Sequence, residues 1–310
     1  MNVVLAAEES AGLQMLRTLA HSHHRLVAVL AEPAKPNTPG GAVWNAAKDL
    51  GFETWPARLV QDPELAERLR NQHVDLLLNI HSLYILNDKV LEAPVLGAFN
   101  LHPGPLPRYA GLNAVSWAIL RGEQTHGVTV HKIEPGIDTG AIVYQTSFPI
   151  EKDETALSLS LKCVREGVAL VSRLLEGAEA DPPRIPLAPQ DPKQREYFGR
   201  EVPEGGRISW SWPAQKVVNF VRACDYFPFR SPWGSPRTYR GVQEFAIVKA
   251  HRTGIPCEAL PGTVGQAVDS GVYVSCKDEW IVASKLLLAG KYTPAAEVLR
   301  FGDCLAECAS

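Results

Sequence analysis

The first hundred residues alternate short apolar runs with stretches of helical periodicity, and this alternation restricts the fold more than any other feature of the chain. The runs are Asn2 to Ala6 (NVVLA), Leu26 to Leu30 (LVAVL), Val74 to Ile80 (VDLLLNI) and Ala98 to His102 (AFNLH); helical stretches lie at about Ser10 to Ala20, Val43 to Leu50 and Pro63 to Gln72. Apolar strands separated by helices of this length form a doubly wound, mostly parallel α/β sheet. Such sheets bind ligands at the carboxyl ends of their strands. With 310 residues, 45% of them hydrophobic, the chain exceeds one comfortable core, and two domains are expected.

A helical stretch from about Thr155 to Leu175 leads into Asp181 to Lys193 (DPPRIPLAPQDPK), whose five prolines fit neither a helix interior nor a central strand. The expected division is a domain over residues 1–185, a linker over 186–204 and a second domain over 205–310. That second domain reads as a helix around Ala214 to Ala223, then short strands at Phe245 to Ala250, Thr263 to Ala267, Gly271 to Cys276, Trp280 to Ala283 and Lys285 to Ala289. A small, β-rich, barrel-like unit fits that spacing. Earlier in the chain, Glu32 to Gly41 (EPAKPNTPGG) follows a strand and reads as a loop at the carboxyl edge, either a lid or a plain connection. The first strand runs into Ala6-Ala7-Glu8-Glu9-Ser10-Ala11-Gly12, which is neither GxGxxG nor GxxxxGKS, so a nucleotide cofactor on a glycine loop is disfavoured.

Charge and composition remove other classes. Thirty-one Lys and Arg against 34 Asp and Glu give a net charge of −3, so no global basic field is available for nucleic acid. No run approaches the roughly 18 apolar residues of a membrane span, and no basic segment precedes a signal-like core; a cytoplasmic protein without membrane contact is expected. The six cysteines form no CxxC pair, and Cys304 with Cys308 offers too few ligands for structural zinc. His21, His23 and His24 read as a solvated turn with no carboxylate cluster beside them. No metal is expected.

The chemistry concentrates in Phe99 to Gln145. A strand delivers Asn100 and His102 on one face, since strand residues alternate, and breaks at Pro103-Gly104-Pro105. About thirty-five residues later, Glu134-Pro135-Gly136-Ile137-Asp138-Thr139-Gly140 presents a carboxylate between glycines, where backbone can approach a ligand closely. An amide donor, an imidazole and a carboxylate suit acyl transfer to an amine without a Ser or Cys nucleophile. The same residues also fit polar punctuation at a sheet end and a turn Asp bonded to its own backbone. His131, alternating with Thr129 on a strand beside the Asp138 turn, and His81, after the Val74 to Ile80 run, are further candidates for the site's surroundings.

Asn100-Leu101-His102, Pro105-Leu106-Pro107-Arg108-Tyr109 and Ile137-Asp138-Thr139-Gly140 resemble the signature of the formyltransferases that use 10-formyltetrahydrofolate. The similarity continues through Tyr84-Ile85-Leu86, Val90-Leu91 and Gly127-Val128-Thr129, and into Ile208-Ser209-Trp210 and Val221-Arg222-Ala223. The turn His102-Pro103-Gly104-Pro105-Leu106-Pro107 departs from relatives, which usually carry Ser, Leu and Leu there. The resemblance implies the formyltransferase fold with an OB-like accessory domain, and catalysis by Asn100, His102 and Asp138. It implies a pterin cleft lined by Leu83, Tyr84, Ile85, Leu86 and Ile137 with Asp138, and an acceptor held by Arg200 with the aromatics Tyr109 and Trp210. In the implied reaction the formyl group moves from 10-formyltetrahydrofolate to a primary amine of a small metabolite, such as a nucleotide-linked amino sugar. Asn100 and His102 then stabilise the oxyanion, while Asp138 supports His102 and receives the proton through water. A methionyl-tRNA formyltransferase, a formyltetrahydrofolate hydrolase and a non-catalytic folate-binding protein share these motifs. Asp225 to Arg240 (DYFPFRSPWGSPRTYR), with five aromatics and three arginines, reads as a loop suited to stacking on a ligand ring or to packing between domains.

Overall fold

The computed structural model describes residues 1–33 and 42–306. The loop expected over Glu32 to Gly41 therefore lies largely outside the described residues, as does Cys308. In chain order the elements are β1 (Asn2–Ala7), α1 (Glu9–Ala20), β2 (Arg25–Ala31), α2 (Ala42–Asp49), β3 (Thr54–Pro56), α3 (Leu65–Asn71), β4 (Leu76–Ile80), α4 (Asp88–Leu91), β5 (Gly97–His102), β6 (Ala110–Gly111), α5 (Ala114–Arg121), β7 (Thr125–Lys132), β8 (Ile142–Pro149) and α6 (Ala156–Glu179). They continue with β9 (Tyr197–Phe198), α7 (Ala214–Ala223), β10 (Arg237–Arg240), β11 (Gln243–Pro256), β12 (Val264–Val268), β13 (Gly271–Ser275), β14 (Glu279–Leu288), β15 (Lys291–Pro294) and α8 (Ala295–Val298). The chain divides into unit 1 (1–111, 127–148 and 161–197) and unit 2 (112–126, 149–160 and 198–310). The segments 112–126 and 149–160 thus belong to the second unit, although both precede the proline-rich stretch. Proline content alone does not signal them.

The large sheet has the order β3-β2-β1-β4-β5-β7-β8, parallel from β3 to β5 and antiparallel between β5 and β7. Strand order turns back between β1 and β4, which is where an open α/β sheet leaves its ligand crevice. Both faces of the parallel part are covered, so β1, β2, β4 and β5 are apolar over most of their length. Leu5, Leu78, Phe99 and Leu101 pack with Met15, Leu16 and Val171 on one face; Val4, Ala6, Leu30, Leu77 and Ala98 pack with Val60 and Leu69 on the other. The second face turns polar at its carboxyl end, where Leu77 gives way to Asn79 and Ala98 to Asn100 and His102.

Unit 2 is built on an antiparallel sheet, β10-β11-β14-β13-β12 with β15 added on β14. The stretches 280–283 and 285–288, expected as separate strands, form the single strand β14, because the ladder to β11 absorbs Ser284 as the extra residue of a bulge opposite Lys249 and Ala250. The expected 225–240 loop ends in strand β10. In unit 1, α6 runs further than expected, to Glu179, whose carboxylate receives His23 Nε2 and lies 3.2 Å from His24 Nδ1. That carboxylate, 155 residues on from His24, supplies a partner the local sequence did not show. Burial pushes the thiols of Cys224 and Cys276 up to about 12, which keeps both inert. No helix among the described residues is long and apolar enough to cross a membrane.

Candidate active site

Register brings the site together. Across the carboxyl end of the sheet, Ala6 pairs with Asn79, Asn79 with Asn100 and Asn100 with His131, so these side chains form one row on one face. One step further along, His102 pairs with Thr129. The turn after His102 is held by β7 and β8. Thr129 Oγ1 donates to the Gly104 carbonyl (2.7 Å) and accepts from Leu106 N–H (3.1 Å), and Gln145 Nε2 donates to the Leu106 carbonyl (2.8 Å). Gly104 is needed at that position: a Cβ there would stand 2.7 Å from His102 Nε2.

The His102 ring has a fixed orientation. Its Nε2–H donates to the Tyr109 carbonyl at 2.7 Å, a group that can only accept, which leaves Nδ1 facing Asp138 Oδ2 at 3.4 Å. Asp138 sits in the left-handed region at φ 54° and accepts from Gly111 N–H at 2.8 Å; its Oδ1 lies 3.3 Å from His131 Nε2. The turn carrying it is clamped by one residue of the proline-rich stretch and one just beyond it. Gln190 donates to the Asp138 and Gly140 carbonyls (3.0 and 2.7 Å) and Arg195 to the Ile137 carbonyl (2.7 Å). Gly140 admits no side chain, since a Cβ would fall 1.9 Å from the Lys132 carbonyl.

Charge follows from this packing. Burial lowers the proton affinity of His102, although Asp138 and the Tyr109 carbonyl pull the other way, so the ring is neutral near pH 7. Burial also disfavours the Asp138 carboxylate, but the His102 and His131 rings and the Gly111 N–H outweigh it and hold the acid well below the usual carboxylate range. A neutral imidazole thus faces a permanent carboxylate. The Asn100 amide accepts from Asn79 Nδ2 (3.1 Å) and meets His131 Nε2 through its own Nδ2 (3.0 Å), which leaves one of its N–H groups without a partner among the described residues.

Comparison with known proteins assigns the arrangement to a family. A family model described as formyl transferase matches residues 1–175, and one described as formyl transferase, C-terminal domain, matches residues 202–300. The chain belongs to the formyl transferase family. Among solved structures, an N-formyltransferase from Helicobacter canadensis in complex with folinic acid and dTDP-3-aminofucose is 20% identical at a TM-score of 0.69, covering 91% of this chain and 98% of that one. WlaRD, a sugar 3N-formyl transferase seen with dTDP and 5-N-formyl-THF, is 19% identical at 0.68, covering 91% and 97%. HypX from Aquifex aeolicus, in complex with tetrahydrofolic acid, is 18% identical at 0.59, covering 96% of this chain and 46% of its own. At these identities the likeness is one of fold.

Within this formyl transferase, Leu83 to Leu86 follow β4 as irregular backbone. Leu83 and Ile85 are 81% and 68% exposed, and no main-chain N–H or C=O of the segment has a partner among the described residues. Exposed apolar side chains beside free amide groups suit a flat ring with a polar edge. Tyr84 donates instead to Glu32 (2.6 Å), and the Leu86 side chain is buried. Ile137 is exposed in the clamped turn. His81, also at a positive φ, places Nδ1 3.4 Å from Glu9 Oε2.

The three expected acceptor contacts fare differently. Tyr109 has a buried ring and serves the site through its carbonyl, because a φ of 59° turns its side chain into the core. Trp210 is 3% exposed in the core of unit 2, its indole N–H donating to Thr238 Oγ1 at 2.9 Å, so it is a packing residue and not a surface contact. Arg200 is exposed in unit 2. Sequence reasoning missed Asn79, Gln145, Gln190 and Arg195. Asn79 did carry a signal, as the lone polar residue of a Leu and Ile run; Gln190 and Arg195 carried none.

Proposed function

We propose that this chain transfers the formyl group of 10-formyltetrahydrofolate to the primary amine of a small metabolite in cytoplasmic one-carbon metabolism, with nucleotide-linked amino sugars as the first acceptor class to test. The observation that carries this reading is that β5 presents, on one face, Asn100 with an N–H unpartnered among the described residues and a neutral His102 whose Nδ1 lies 3.4 Å from Asp138 Oδ2. The exposed Leu83–Ile85 segment fits the pterin, and relatives of the same fold were seen with folinic acid and dTDP-3-aminofucose. Arg200, with its planar fork of donors, suits an acceptor phosphate.

The geometry divides the work. Asn100 donates its free N–H to the formyl oxygen as that atom gains charge on attack by the unprotonated amine. His102 has Nε2–H committed to Tyr109, so it acts at Nδ1: it takes the proton the amine loses and returns it to the departing folate nitrogen. Asp138 Oδ2 stabilises the intervening imidazolium. This refines the expectation that His102 itself donates to the oxyanion.

The test is tetrahydrofolate release from 10-formyltetrahydrofolate, run without acceptor and then with dTDP-linked amino sugars, amino-acid-derived amines and charged initiator tRNA. Release dependent on an amino sugar is expected, and Asn100→Ala and Asp138→Asn are each expected to cut kcat by about 100-fold to 1,000-fold in a folded protein. Acceptor-free release marks a hydrolase, tRNA-dependent release a methionyl-tRNA enzyme, and no release a folate-binding protein. Near-normal turnover in Asn100→Ala overturns the proposal.

A further inference from the structure

We propose that Asn79 is the positioning residue that fixes which way the Asn100 amide faces, a role that rests on the formyl-transfer reading above. The two ends of an amide have nearly the same shape, so hydrogen bonds and not packing decide its orientation. Here they are decided at the Asn79 end of the row. The Ser82 carbonyl, 3.3 Å from Asn79 Nδ2, can only accept, so Asn79 turns its NH2 that way, and the second N–H meets Asn100 Oδ1 at 3.1 Å. At the other end the Lys132 carbonyl, 2.8 Å from His131 Nδ1, can only accept, so Nδ1 carries a hydrogen, while Nε2 stands between Asn100 Nδ2 at 3.0 Å and Asp138 Oδ1 at 3.3 Å.

The polarity of the row is therefore set where Asn79 meets the Ser82 carbonyl. Reversing Asn100 sets its NH2 against that of Asn79. Such a reversed amide turns a carbonyl, and not a donor, toward His131 and withdraws the free N–H from the reacting oxygen. Asn79 holds this position at a cost. Its Oδ1 is buried without a partner, within the run Leu76-Leu77-Leu78-Asn79-Ile80 where every neighbour is apolar. The polar residue stands at the one register position on β4 that faces Asn100. Its use lies in the donors at Nδ2.

Asn79→Asp is the decisive variant: it keeps the shape, cannot donate when ionised, and draws the Asn100 NH2 toward itself. With a dTDP-linked amino sugar as acceptor, kcat is expected to fall about 100-fold, near the level of Asn100→Ala, with KM values little changed. In the free protein, the 15N resonance of His131 Nε2 should move, because that atom then meets the Asn100 oxygen in place of its NH2. Asn79→Leu matches its neighbours and leaves both amide orientations open, so kcat should fall only about 2-fold to 10-fold. Near-normal kcat in Asn79→Asp with the His131 Nε2 resonance unmoved overturns the positioning role, as does an effect confined to KM. Asn100→Ala run alongside separates the two ideas. If that variant stays active, formyl transfer by this site fails, while the NMR signature still reports whether Asn79 orients the amide.

Discussion

The carboxyl edge of the unit 1 sheet and the aromatic stretch 225–240 of unit 2 are both dense in residues that carry chemistry, and they use them in opposite ways. At the sheet edge, Asn79, Asn100 and His131 come from three strands and meet because register puts them in one row. Along 225–240 the aromatics diverge. Trp233 is buried edge-on against Trp117 with ring centroids 4.8 Å apart, whereas Phe227 and Phe229 are exposed. Strand alternation and pairing fix where a side chain points, but a proline-broken stretch fixes only that its residues are near one another. Composition is therefore a weak guide to a site, and register a strong one.

The largest effect that sharpens this contrast is expected from Trp210→Ala. Because the indole is buried and bonded to Thr238, removing it should destabilise the protein by about 3–5 kcal/mol, measured by urea unfolding. An unchanged stability with a weakened acceptor KM would instead return Trp210 to the role its sequence position suggested.

Next comes Gly104→Ala at the sheet edge. The new methyl meets His102 Nε2 at 2.7 Å and the Tyr109 carbonyl at 3.1 Å, so the ring has to leave its acceptor and Nδ1 turns away from Asp138. A misplacement of that kind should lower kcat about 10-fold to 100-fold with little loss of stability. Wild-type turnover would show that the Tyr109 anchor does not set the ring.

A smaller effect concerns pH. His102 is harder to protonate in the folded protein than its ordinary value of 6.5 implies, so the unfolded chain binds the extra proton first. The stability this contributes is complete above 6.5 and is lost as the pH falls below it. Asp138, held low by its neighbours, adds a second loss below its ordinary 3.8. Thermal melts from pH 7 to pH 5 should show Tm falling, and His102→Asn should flatten that slope. An equal slope in the variant would assign the titration to another group.

The legible and illegible parts of the molecule divide along the same line as the two regions. Apolar runs read β1, β2, β4 and β5 to within two residues, and the Asn100, His102 and Asp138 motif was evident in residues alone. The clamp on Asp138 was not. Gln190 and Arg195 act through side-chain donors on main-chain carbonyls some fifty residues away, a relation with no periodicity to betray it. The same holds for Glu179 beside His23 and His24. Trp210 failed for a different reason: an aromatic near a family motif looks alike whether it faces a ligand or a core, and only the Thr238 bond separates the cases.

The smallest expected effect tests the exposed half of the aromatic stretch. Phe229 is 68% exposed, so most of its ring is already in water in the folded state, and truncation removes little buried area. Phe229→Ala should therefore leave Tm within about 1 °C, as surface substitutions within about 0.5 kcal/mol do. Since no residue of the Asn100, His102 and Asp138 group depends on it, kcat should stay unchanged, and any consequence should be confined to KM for the acceptor. A fall in kcat would break the comparison, because it would make a loop aromatic part of a site whose row comes from strand register and whose Asp138 turn is held by Gln190 and Arg195.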